Sequence, residues 1–190
     1  MTFRHWRRAG LAAAFAGALL AACGEQRASP PGLSSGQVIL VIEDAGATAD
    51  PRLVSEGLYE LHDVALDGAL GLSRADLSAM SWRQIRADFP QGAEPRAFEG
   101  PRLSDVLAAA GHEGAGARLT AFDGYQAEVS AEMISRHEPI LALRADGEPM
   151  SVGGLGPVML VWPRLNQSSL SDMNDDLWAW GVFAIAPTDD

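Results

Sequence analysis

The chain has 190 residues, enough for one domain with a substantial core and too few for two ordinary ones. Its 25 acids outweigh 14 basic residues, all arginine, for a net charge of −11; no basic cluster is available to bind a phosphate backbone, which argues against nucleic acid as a partner. An apolar content of 47% with 20 glycines and 11 prolines reads as a globular, turn-rich domain, and no internal repeat is visible.

At the N-terminus, Arg4, Arg7 and Arg8 precede an apolar run over 11–22 that is too short to span a bilayer comfortably. That is the form of a secretory signal. Its end, Leu20-Ala21-Ala22-Cys23, resembles the bacterial lipobox, in which the cysteine is lipidated and becomes the mature N-terminus. Two alternatives are an ordinary signal with an incidental Cys23, and a twin-arginine signal at Arg7-Arg8, a pattern that Ala9-Gly10-Leu11 follows poorly. The expectation is a signal over 1–22, a polar tether over 23–36 and a domain over 37–190. A lipid on Cys23 would hold that domain at the bacterial cell envelope, facing the periplasm or the exterior. The signal contains none of the acids, so its removal leaves the domain more acidic. Cys23 is the sole thiol, so the domain has neither a disulfide nor a thiolate metal ligand.

Along the domain, the β-branched run 37–43 predicts a strand ended by Asp44-Ala45-Gly46. Tyr59, Leu61, Val64 and Leu66 suggest strands within 58–70, with a turn at Asp67-Gly68. Ser73 with Asp76 three residues on predicts a capped helix that turns Leu77 and Met80 to one face. The stretch 82–89 reads as strand or irregular. Residues 98–103 read as a turn entering a short helix whose Leu103, Val106 and Leu107 face inward and which Gly111 closes. Strands are expected over 118–122 and 125–129 about a two-residue turn at Asp123-Gly124. A helix capped by Ser130 through Ser135 follows, then strands over 139–144, 157–162 and 178–185. The pattern is α+β, a mixed β-sheet with short helices between strands.

Several pieces in this order resemble the molybdopterin-binding domain of sulfite-oxidase-type oxidoreductases, especially its small, single-domain exported members. They are Phe98-Glu99-Gly100-Pro101-Arg102-Leu103; Tyr125-Gln126-Ala127-Glu128-Val129; Ile140 to Met150 with Asp146-Gly147-Glu148-Pro149; Gly156-Pro157-Val158-Met159-Leu160-Val161-Trp162-Pro163; and Trp178-Ala179-Trp180-Gly181 running into a final strand. The resemblance extends from Val38 to Ala186 and implies a sulfite-oxidase-like molybdopterin-binding fold. It also implies a cysteine thiolate on molybdenum from the segment 80–98, basic side chains on the pterin phosphate, and a tyrosine at the position of Tyr125 that hydrogen-bonds an oxygen at the metal.

The chain departs from that pattern in its chemistry. The segment 80–98 has Ser81 but no cysteine, and a soft anionic ligand is what the metal needs. Ser151-Val152-Gly153-Gly154-Leu155 stands where one basic cluster belongs, and Asp172, Asp175 and Asp176 stand near the other. Carboxylates repel a dianionic phosphate. Arg83, Arg86, Arg144 and Arg164 remain as candidate anion contacts and Tyr125 as the catalytic candidate, with a strand tyrosine of purely packing role as its alternative.

Other constellations are weaker. His62, His112 and His137 lack metal-ligand spacing. Ser168, Ser169 and Ser171 lack a nucleophile elbow. Gly153-Gly154-Leu155-Gly156 lacks the lysine and helix of a phosphate loop. Asp172, Asp175 and Asp176 do not have the spacing of a calcium loop. Trp162, Trp178 and Trp180 read as core and rim aromatics, with ligand stacking as the alternative. The expected protein is therefore an exported lipoprotein whose oxidoreductase-like domain binds a small ligand or another exported protein without a metal or cofactor. The alternative is a molybdopterin-dependent oxidoreductase with a non-cysteine metal ligand.

Overall fold

The computed structural model describes residues 36–46 and 56–189. The expected signal, Cys23 and all but the last residue of the tether lie outside the described residues. Among the described residues the domain is α+β, with eleven strands and four short α-helices.

Strand β1 (Val38–Ile42) forms where the β-branched run predicts it. Helix α1 (Glu56–Leu61) corrects the expectation of a strand at the start of 58–70. The apolar residues there do not alternate between core and solvent: Tyr59 is buried against Phe183, while Leu61 is 74% exposed. One aromatic anchor therefore docks a single helical stretch. The Asp67-Gly68 turn leads into β2 (Leu70–Ser73), with Gly68 at φ +73°. Helix α2 (Arg74–Ala79) starts in a reciprocal capping box: the Ser73 hydroxyl accepts from the Asp76 amide, and the Asp76 carboxylate accepts from the Ser73 amide. The Ser73 hydroxyl and amide together hold the Asp76 carboxyl below the usual carboxylate range.

Strand β3 (Trp82–Ala87) pairs antiparallel along its length with β4 (Arg96–Pro101), which corrects the reading of 98–103 as a turn. Helix α3 (Leu103–Ala109) buries Leu103, Val106 and Leu107, and Gly111 follows at φ +89°. Strands β5 (Gly116–Ala121) and β6 (Gln126–Val129) form the expected hairpin with a longer turn. The Gly124 amide donates to the Ala121 carbonyl and the Ala121 amide to the Tyr125 carbonyl, with Gly124 at φ +85°. That is a three-residue loop with a bulge rather than a two-residue turn. The reason lies in packing: Phe122 leaves the strand to stack on Phe183, with ring centroids 5.3 Å apart.

Helix α4 (Ala131–His137) is capped by the Ser130 hydroxyl and runs two residues past Ser135. The single strand expected over 139–144 divides into β7 (Ile140–Ala142) and β8 (Arg144–Ala145). The break falls at Leu143, whose amide donates to Glu99, and the halves pair with different partners. Asp146 and Gly147, both at positive φ, turn the chain into β9 (Glu148–Pro149), and β10 (Met159–Val161) is fully buried. Strand β11 (Val182–Thr188) begins four residues later than expected, because Gly181 at φ +64° leaves the extended region and keeps Trp178 and Trp180 outside the strand.

The largest sheet has the order β2-β1-β11-β5-β6, with β1 and β11 parallel and the other pairs antiparallel. A second sheet has the order β3-β4-β8-β9, and β7 pairs with β10. The main core contains Leu40, Ile42, Phe98, Leu119, Trp162 and Ile185. Val38 and Val41 of β1 belong to a separate cluster with Tyr59, Val64 and Phe183. Side chains cover β1 on both faces, which is why it carries no polar alternation.

Candidate functional site

Tyr125 stands just past the hairpin turn and is 44% exposed. The turn is set by Asp123, whose carboxylate accepts the Tyr125 amide at 3.0 Å. The Tyr125 hydroxyl donates to the main-chain carbonyl of Asp176, tying the hairpin to the 3-10 turn Asp175–Leu177. Asn174 caps that turn by accepting from the Asp176 amide.

A cavity of about 240 Å³ opens beside this contact, lined by Phe89, Asp123, Tyr125, Asp175, Asp176, Trp178 and Trp180. Asp123 and Trp180 also line a second cavity of about 270 Å³ with Phe122, Val152, Gly153, Gly154, Gly156 and Gly181. The two form one cleft divided by Asp123 and Trp180, and no basic side chain lines either half. The β5–β6 turn, the glycine-containing loop before β10, the segment before β11 and Phe89 after β3 together build it.

Its inner wall is rigidly held. Trp178 is 1% exposed and stacks on Phe89, with centroids 5.5 Å apart, and the Arg164 guanidinium lies 4.6 Å from its ring centroid. Arg164, itself only 4% exposed, donates to the Asp88 and Asp175 carboxylates and to the carbonyls of Asp88 and Met173. Partial burial pulls the Asp88 carboxyl upward, but the Gly92 amide and Arg164 outweigh it and leave it below the usual range. Arg164 is thus a cross-link with its donors turned inward, rather than a contact for a ligand anion.

The other candidate arginines do not converge on Tyr125. Arg83 lies on one face of β3, 3.3 Å from the Glu138 carboxylate. Arg86 lies on the opposite face, donating to the Pro95 carbonyl. Arg144, opposite Glu99 in the neighbouring register, has its guanidinium 5.4 Å from the Trp82 ring centroid. None of the three lines the cleft.

The histidines are also separate. His112 contacts the Asp44 carbonyl, and His137 contacts the Gln167 side chain. His62 packs beside Phe183 and Gly124. Among the described residues no group of three or more His, Cys, Asp or Glu side chains is arranged to hold a metal ion. Phe89, Phe122 and Asp123 are the lining residues that sequence reasoning did not single out as a site. The only signal was a turn dipeptide and scattered aromatics, separated by up to about ninety residues from Trp180.

No protein-family model matches the sequence, and no curated protein matches it. Among solved structures, that of the sulfane dehydrogenase SoxCD from Paracoccus pantotrophus is similar over 64% of this chain and 36% of that one, at 18% sequence identity and a TM-score of 0.48. The match therefore spans little more than a third of the length of that protein chain.

Proposed function

We propose that this chain is a non-redox ligand-binding module on a sulfite-oxidase-like scaffold, carried at the bacterial cell envelope by a lipid on Cys23. One observation carries the reading: the cleft at Tyr125 is walled by aromatic rings and by Asp123, Asp175 and Asp176, without a basic side chain or a thiolate. A molybdopterin does not fit that donor set. Its metal calls for a soft anionic ligand. Its phosphate would meet carboxylates, each close pair repelling by about 1 kcal/mol even at the dielectric of water. The phenol of Tyr125, the group the resemblance would assign to an oxygen at the metal, is engaged with the Asp176 carbonyl and acts as a clasp.

Protein purified from a bacterial host that makes molybdopterin tests this directly. Elemental analysis and oxidative pterin release are expected to find neither molybdenum nor pterin; stoichiometric amounts of both would sink the reading in favour of a molybdopterin oxidoreductase with a non-cysteine ligand. The anchoring has its own test. Cys23→Ser is expected to move the protein from the membrane fraction to the soluble fraction, and a variant that stays with the membrane counts against the lipid.

A further inference from the structure

We infer that the cleft takes a small quaternary ammonium cation, such as a choline-like group. This rests on the ligand-binding reading and names the ligand class. Among the described residues Asp123 and Asp176 have no ion-pair partner, whereas Asp175 is paired with Arg164 at 2.9 Å. Arg164 also serves Asp88, so its single positive charge is shared between two carboxylates. The cleft therefore has excess negative charge and no cation of its own, and a pocket with low-dielectric aromatic walls strengthens that field.

Trp180 divides the two halves and is 44% exposed, as is Tyr125. Indole and phenol faces attract cations through their ring quadrupole, and a quaternary ammonium, which has no N–H to hydrate, leaves water readily for an aromatic wall. Each half of the cleft, at about 240 and 270 Å³, suits a compact group of a few non-hydrogen atoms.

Choline and its uncharged isostere 3,3-dimethyl-1-butanol separate charge from shape. With the full-length chain in a nonionic detergent, calorimetric titration should show choline binding with a dissociation constant of about 1 mM or tighter. The uncharged alcohol should bind at least about tenfold more weakly. Asp123→Asn retains an oxygen that can accept the Tyr125 amide, so the turn is kept while the charge is removed. It should weaken choline about fivefold to tenfold and leave the alcohol unchanged. Trp180→Ala, on an exposed side chain, should weaken choline about fivefold or more.

Equal affinity for choline and the alcohol, or no binding of choline, overturns the inference. If equal binding is lost in Trp180→Ala, the cleft remains a ligand site for uncharged molecules and the proposed function stands. Molybdenum and pterin in the same preparation would instead remove the proposed function itself.

Discussion

Arg164→Met is expected to lower stability by about 3 kcal/mol. The guanidinium is almost wholly buried and holds two carboxylates and two main-chain carbonyls from the segments around Asp88 and Asp175. Methionine fills much of the volume but leaves these acceptors without a donor. The cost stays at the low end for a broken buried pair because the Asp88 and Asp175 side chains are 13% and 31% exposed and can recover some water. For a domain of this size the melting temperature should fall by about 6–12 °C.

The pH dependence gives a second readout. The Asp88 carboxyl titrates below its ordinary value in the folded protein. Its contribution is therefore complete above the unfolded-state pKa of about 4, and it disappears as pH falls through the lower folded-state value. The difference in melting temperature between the wild type and Arg164→Met should shrink below about pH 4. A difference that stays constant from neutral to strongly acidic pH would show that the ion pairs do not supply the stabilisation.

Gly100→Ala is expected to cost about 3 kcal/mol, at the upper end for overpacking a core. A Cβ on Gly100 would lie 1.9 Å from the carbonyl oxygen of Leu141 and 2.8 Å from its carbon. Both atoms are main chain, so no rotamer change relieves the contact, and β4 and β7 would have to separate. The need for glycine here comes from the close approach of two backbones. The comparison is Gly154→Ala, whose Cβ would meet only the Ser151 carbonyl oxygen at 3.7 Å and which should stay within about 0.5 kcal/mol of the wild type. Chemical denaturation of the two variants side by side checks this, and equal stabilities would contradict so close a strand approach.

These two positions also show how unevenly the fold could be read. Gly100 was recognisable as a glycine in a patterned segment, but that pattern suggested a turn. Only the neighbouring β7 backbone explains a glycine inside a strand. Likewise, 58–70 looked like strands because its apolar spacing is short, and a single buried Tyr59 was enough to make its first part a helix. Arg164 read as a candidate anion contact, since nothing local to Pro163-Arg164-Leu165 indicates that Asp88 and Asp175 converge on it.

Residues that act on their own neighbours were legible from order alone. The capping box at Ser73 and Asp76, the cap at Ser130 and the Asp67-Gly68 turn all depend on interactions within a few residues. Those interactions hold wherever the segment lies. The missing thiolate in the segment 80–98 is equally a property of the chain as written. The cleft belongs to the other category. Phe89, Asp123, Asp176 and Trp180 are far apart in the chain, and they meet because Gly181 turns the backbone, Arg164 ties two loops together and Tyr125 clasps a third. Burial, shared charge and the orientation of a ring arise from packing between distant segments, and that packing made scattered carboxylates and aromatics into one acidic, aromatic pocket.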